Sequence, residues 1–357
     1  MAIDGAHWGP FASTFARLGR GVGVWVVAIL VAAACSSTER EREFVEVVPD
    51  AGADEVSDVG GDGGPDGMDA EESADDASSA EDASDEPEVF APPFDDSLPL
   101  GGARPAELVL PSNYDRGAQW PLVVMLHGYG SWAGFHRTYF GFDEAAERHG
   151  FIGVAPNGTV DIMQNRFFSA TEACCDHYGT GVDDVAYLTE LLDEIEERLA
   201  VDSERIYFLG HSNGGFMSLQ MACELGSRVR AVASLAGSSH LNADDCRAPG
   251  ETSILQIHGT ADTVIPYSGG FLGLNAFPGV ETVSARWVER LECEEGPDAL
   301  EELSLVYEIP GDETERQRWS GCREGRVVEL WQMNLVPHLP TLRPEFMDQV
   351  VEFFESH

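Results

Sequence analysis

The chain has 357 residues, 63 of them acidic and 21 basic, and a formal net charge of -42. Every basic residue is Arg and no Lys occurs, which excludes a nucleic-acid partner, since phosphates call for clustered cations. The length suits one large domain or two small ones, and the acid excess keeps the chain soluble by self-repulsion.

The first segment, residues 1–35, reads as an export signal. Arg17 and Arg20 precede an apolar run from Gly21 to Ala34, which is a positive n-region followed by an h-region of signal-peptide length. The run is shorter than the roughly 20 residues of a membrane span. Cys35 follows three alanines, and this junction resembles a bacterial lipobox. That resemblance implies lipidation of Cys35, so the chain is expected at the cell surface or outer membrane, and otherwise secreted.

Residues 36–96 are rich in Asp, Glu, Ala, Ser and Gly, without hydrophobic periodicity. Such a segment buries too little apolar surface to offset its ordering entropy, so a disordered acidic tether is expected. Its Asp/Gly runs lack the spacing of a calcium-binding EF-hand. Residues 97–357 form one block large enough to bury most of its surface without a second domain.

Within that block, apolar runs alternate with helix-like segments. Strands are expected at 107–110, 122–126, 152–155, 206–209, 231–235, 254–258 and 327–331. Most are short and continuously apolar, as strands buried on both faces are. Between them, 184–200 carries Val185, Leu188, Leu191, Leu192 and Ile195 on one helical face, with Asp183 or Asp184 as its cap. Residues 344–354 read as a closing helix. Strands alternating with amphipathic helices predict an α/β fold with a mostly parallel sheet and helices on both faces.

Gly210-His-Ser212-Asn-Gly214 fits the pattern G-x-S-x-G. It sits directly after the strand ending at Leu209 and directly before a helical segment, the context that exposes a nucleophilic Ser on a tight turn. A Ser so placed needs a base and an acid, in the order Ser, acid, His. His240, His258, His338 and His357 follow Ser212. His240 comes too early, His258 precedes the best acid, and His357 is terminal. His338, after the last expected strand, is the candidate base. Asp262 follows the strand ending at His258 and is the candidate acid, with Asp244, Asp245, Asp298 and Asp312 as weaker rivals. Oxyanion donors are expected at the backbone of Asn213 and, in the loop His127-Gly-Tyr-Gly130, of Tyr129. Candidate substrate contacts are His211 beside the nucleophile, Phe168 before the Cys pair, and Tyr267 after the acid loop.

These residues, with Phe140-Gly-Phe-Asp-Glu-Ala-Ala146, Ala173-Cys-Cys175, Val182-Asp-Asp-Val185 and Ile257-His-Gly-Thr-Ala-Asp262, resemble the polyhydroxybutyrate depolymerase-like and feruloyl esterase-like serine esterases. The resemblance implies an α/β-hydrolase fold, with Ser212, Asp262 and His338 at the family's triad positions. It also implies a polymer-borne ester as substrate. Feruloyl or acetyl esters of plant polysaccharide are the first expectation and hydroxyalkanoate oligomers the alternative. No metal, organic cofactor or obligate protein partner is expected, and no large lid. Six cysteines follow Cys35, and six allow fifteen connectivities. The pairs expected are Cys293–Cys322 and Cys223–Cys246, with Cys174 and Cys175 joined to each other or free. Competing readings are a peptidase or thioesterase with the same triad, and a non-catalytic glycan-binding surface lipoprotein.

Overall fold

Trp120–Leu126 is apolar on both faces at almost every position, and every residue of Ser253–Gly259 is buried, so such runs are stable only inside a sheet covered twice. The computed structural model describes residues 99–247 and 250–357, and the expected export signal, Cys35 and acidic tether lie outside the described residues.

In chain order the elements are β1 (Ala106–Val109), β2 (Trp120–Leu126), α1 (Ala133–Phe140), α2 (Phe142–His149) and β3 (Ile152–Pro156). A short ribbon of β4 (Thr159–Val160) and β5 (Arg166–Phe167) precedes α3 (Asp184–Arg198), β6 (Val201–His211), α4 (Asn213–Glu224), β7 (Ala231–Leu235) and β8 (Ser253–Gly259). A second ribbon, β9 (Gly269–Leu272) and β10 (Asn275–Pro278), leads to α5 (Val280–Arg290). The chain ends with β11 (Glu295–Ala299), β12 (Thr314–Ser320), β13 (Val328–Met333) and α6 (Glu345–Ser356).

One 9-stranded sheet runs in the order β1-β3-β2-β6-β7-β8-β13-β12-β11. From β3 to β13 all neighbours are parallel, while β1 on one side and β12 and β11 on the other are antiparallel. The expected strands all form. Alternate residues feed two cores: Leu122, Val124, Ile206 and Phe208 pack with α3, α4 and α5, whereas Val123, Met125, Tyr207 and Leu209 pack with α1, α2 and α6. Asp183 caps α3 by accepting the Ala186 N–H at 2.9 Å.

β11 and β12 carry no apolar run, and sequence periodicity does not reveal them. All five residues of β11 are exposed, and its pairing with β12 breaks register between Glu295 and Asp298. This strand is an edge, defined by its partner rather than by its own composition.

The strand order fixes where a ligand can sit. From β2 the chain steps to β3 on one side and later to β6 on the other, so the loops leaving β2 and β6 diverge and open a crevice at the carboxyl ends of the strands. The loops with His127-Gly-Tyr-Gly130 and with Ser212 are the two that border it.

Candidate active site

Ser212 is the single residue between β6 and α4, with φ 55° and ψ -116°, an unfavourable conformation for a residue with a Cβ. The turn closes because glycine lets segments pass: a Cβ on Gly214 would lie 2.1 Å from the Leu126 carbonyl oxygen. The Ser212 N–H donates to the Leu235 carbonyl at 2.8 Å, tying the turn to β7.

His338, on the loop between β13 and α6, places Nε2 2.9 Å from Ser212 Oγ and Nδ1 2.7 Å from Asp262 Oδ2. Asp262 is buried at the end of the turn after β8. Its Oδ1 accepts the Val264 and Ile265 N–H groups, each at 2.8 Å. His258 Nε2 lies 3.3 Å from Oδ2 and donates to the Ile265 carbonyl at 2.7 Å. Burial alone would raise the Asp262 carboxyl. Hydrogen bonds from His258, His338 and the Ile265 N–H outweigh it and hold the group well below the ordinary carboxylate range.

The loops that carry Asp262 and His338 are fastened to each other. Thr260 N–H donates to Met333, Ala261 N–H to Val336, and Leu335 N–H to Thr260 Oγ1. A Cβ on Gly259 would lie 2.1 Å from the Val336 carbonyl oxygen, so the close approach requires glycine.

A chain of neutral imidazoles underlies His338. The His338 carbonyl can only accept, so His211 Nε2 carries the proton that bonds it at 2.8 Å. His211 Nδ1 lies 3.1 Å from His136 Nε2, which also faces the Gly128 N–H at 3.4 Å, and His136 Nδ1 lies 3.1 Å from Ser131 Oγ. Burial lowers His211 to about 3 and His136 to about 2, with their neighbouring imidazoles adding to the effect. His127 is a third such ring. Its Nδ1 donates to the Gly128 carbonyl at 2.8 Å, its Nε2 accepts the Gly158 N–H at 2.9 Å, and burial lowers it to about 4.

His127 thereby pins the peptide leading to Tyr129. A Cβ on Gly128 would lie 3.4 Å from the Ser212 Cβ, so this loop passes against Ser212. Among the described residues, neither the Tyr129 nor the Asn213 N–H donates to a protein acceptor. The Tyr129 hydroxyl donates to Asp161 at 2.6 Å and anchors the loop's other side. The Asn213 side chain brackets the Phe168 backbone, accepting its N–H and donating to its carbonyl, both at 2.8 Å, and also reaches Cys174 Sγ at 3.4 Å.

The sequence-derived candidates thus fall into two groups. Ser212, Asp262, His338, Tyr129 and Asn213 come together at one crevice. Of the candidate substrate contacts, Phe168 is fully buried against the His127 ring and His211 is buried beneath His338. Both are turned inward because their partners are the elbow's own loops. Tyr267 is part-buried, with its hydroxyl on Gln332 at 2.9 Å. The supports His127, His136 and His258 carry no sequence signal beyond being histidines near the motifs. Disulfides join Cys223–Cys246, Cys293–Cys322 and the adjacent Cys174–Cys175.

Residues 97–307, more than half of the chain, match the protein family described as "Putative esterase". Over 176 residues the chain is 30% identical to "Probable feruloyl esterase C" of Aspergillus terreus, covering 48% of this chain and 59% of that protein. Over 179 residues it is 25% identical to the "Bifunctional acetylxylan esterase/xylanase XynS20E" of Neocallimastix patriciarum, covering 48% of this chain and 24% of that one. The chain therefore spans less than two thirds of the length of these curated relatives. Among solved structures it is similar to the acetyl xylan esterase from Aspergillus awamori, with a TM-score of 0.51 and 14% identity over 73% of this chain and 97% of that one. That likeness shows the fold, the α/β-hydrolase arrangement expected from the motifs.

Proposed function

Because the chain belongs to this esterase family, we propose that it hydrolyses carboxylic esters through an acyl-enzyme formed on Ser212. The observation that carries the reading is the continuous line from Ser212 Oγ through His338 to Asp262, at 2.9 and 2.7 Å. Ser212 Oγ attacks the ester carbonyl as its proton passes to His338 Nε2, and Asp262 stabilises the imidazolium. The Tyr129 and Asn213 N–H groups receive the developing oxyanion, each donor contributing about 3 kcal/mol. The alcohol leaves with the proton from Nε2, and water then repeats the attack to release the acid. These steps call on no metal or organic cofactor.

The favoured substrates are feruloyl or acetyl esters on plant polysaccharide. The names of the two curated relatives support this choice. So do Trp132 and Phe135, exposed just after the Tyr129 loop with ring centroids 5.6 Å apart, which offer aromatic faces to a sugar. Hydroxyalkanoate oligomers are the competing substrate. The proposal includes export on residues 1–35, lipidation of Cys35, a tether at 36–96 and a catalytic domain at 97–357.

The test compares the wild-type chain with Ser212→Ala on p-nitrophenyl acetate, methyl ferulate and a polyhydroxybutyrate film. Turnover of methyl ferulate or the acetate, lost in the variant, supports the reading. Preference for the film transfers the assignment to the hydroxyalkanoate class, and turnover that survives in Ser212→Ala refutes the acyl-enzyme.

A further inference from the structure

Away from the triad, Glu172, His240 and Asp245 bring three ligand atoms within 4.8 Å of one another. Glu172 lies in the loop after β5, His240 in the loop after β7, and Asp245 in the short turn Ala243–Asp245. We propose that they bind a divalent transition-metal ion, zinc foremost, which fastens the 168–175 loop to the loop after β7.

The protonation pattern asks for a cation there. Gln220 Nε2 donates to the Glu224 carboxylate at 3.1 Å, so its Oε1 is the atom that faces His240 Nε2 at 2.5 Å. An amide oxygen can only accept, hence His240 Nε2 carries a proton. The ring's other nitrogen, Nδ1, lies 3.2 Å from both oxygens of Glu172. A metal cation seated between this nitrogen and the carboxylate would be held by both.

The surroundings match a metal ligand set. A histidine that gives one nitrogen to a metal typically donates from the other to an oxygen, which fixes the ring and its tautomer, and Gln220 does this for His240. Bonds of about 2.1 Å to a tetrahedral ion separate its ligands by about 3.4 Å, close to the distance between His240 and Glu172. A small rotation of part-buried Asp245 supplies the third ligand, and water supplies the fourth. One imidazole with two carboxylates suits zinc or its first-row neighbours better than calcium, which prefers oxygen alone.

All three ligands stand on fixed backbone. Asn275 Nδ2 donates to the Glu172 carbonyl at 2.5 Å. Arg286 donates to the His240 and Leu241 carbonyls, each at 2.9 Å. Asp245 is followed by Cys246, which is bonded to Cys223.

The experiment titrates zinc chloride into tag-free, metal-stripped full-length protein by calorimetry and follows thermal unfolding with and without the metal. One equivalent is expected to bind with a dissociation constant on the order of micromolar, raising Tm by about 5 °C at a hundredfold excess over that constant. Glu172→Gln and Asp245→Asn, both at accessible positions, each weaken binding at least tenfold and abolish most of the Tm rise. Gln220→Leu weakens binding about tenfold without touching the ion. Ester turnover persists in the Glu172 and Asp245 variants. Absence of saturable zinc binding overturns the proposal, leaving a proton on Nδ1 as the charge between the two groups. Affinity unchanged in both carboxylate variants overturns it too, because the ion then sits elsewhere on this acidic chain.

Discussion

Ser212 stands between a strand and a helix, in a turn that backbone packing closes, whereas His338 stands on a loop that takes its position from side chains. Around the serine the decisive contacts are glycine against carbonyl and N–H against carbonyl. Around the histidine they are an aspartate, three further imidazoles and the loop after β8. A position held by backbone tolerates almost no added atom but needs no particular side-chain chemistry. A position held by side chains tolerates change in shape but depends on which atoms carry protons.

The largest effect should come where the two halves meet. Ser212→Ala should lower kcat by about 10^4-fold or more, measured as ester turnover at saturating substrate, with Tm nearly unchanged. A Tm loss as large as that of a core truncation would mean that the hydroxyl serves the fold instead. Next, Gly214→Ala tests the backbone half. Its Cβ has no room beside Leu126, so stability should fall by about 4 kcal/mol, or the chain should fail to accumulate folded. A wild-type unfolding midpoint in urea would show that the elbow can spread.

His211→Phe tests the other half. The ring is replaced by one of similar shape that cannot donate to the His338 carbonyl, so kcat should drop about 10^2-fold while KM stays near its original value. A loss confined to KM would make His211 a substrate contact after all.

The response to acid tests the same imidazoles together. His127, His136 and His211 are neutral in the folded chain and take up protons when unfolded below about pH 6.5, so the unfolded state binds more protons. Their contribution is complete above pH 6.5 and is lost as pH falls toward about 4 for His127, about 3 for His211 and about 2 for His136. Each ring costs roughly 1.4 kcal/mol per pH unit within its window. The depressed carboxyl of Asp262 also favours the fold above its unfolded value near 3.9 and is lost below it. Tm should thus decline from pH 6.5 downward and go on falling below 4, where Asp262 joins as His127 drops out. A profile flat to pH 5 would count against the neutral imidazoles.

The same contrast explains what could be read from the chain alone. Strand, turn and helix around Ser212 are consecutive in sequence, and loops after strands mark Asp262 and His338, so the positions that meet at the crevice were legible. The linkage Ser131–His136–His211–His338 was not, because a buried neutral histidine looks like any other until its partners are placed. Phe168 reads as a binding-site aromatic, yet its backbone is held by Asn213 and its ring is buried. β11 and β12 give no such signal, because polar strands at a sheet margin have no periodic apolar face to announce them.

That edge has a consequence for how copies of the molecule meet. A sheet grows by adding a strand to a flat, uncharged margin. Here the margin offers Glu295, Pro297 and Asp298 beside a break in register. Two molecules approaching along it set acid against acid and meet a ladder out of register, so this margin disfavours extension of the sheet from one copy into the next.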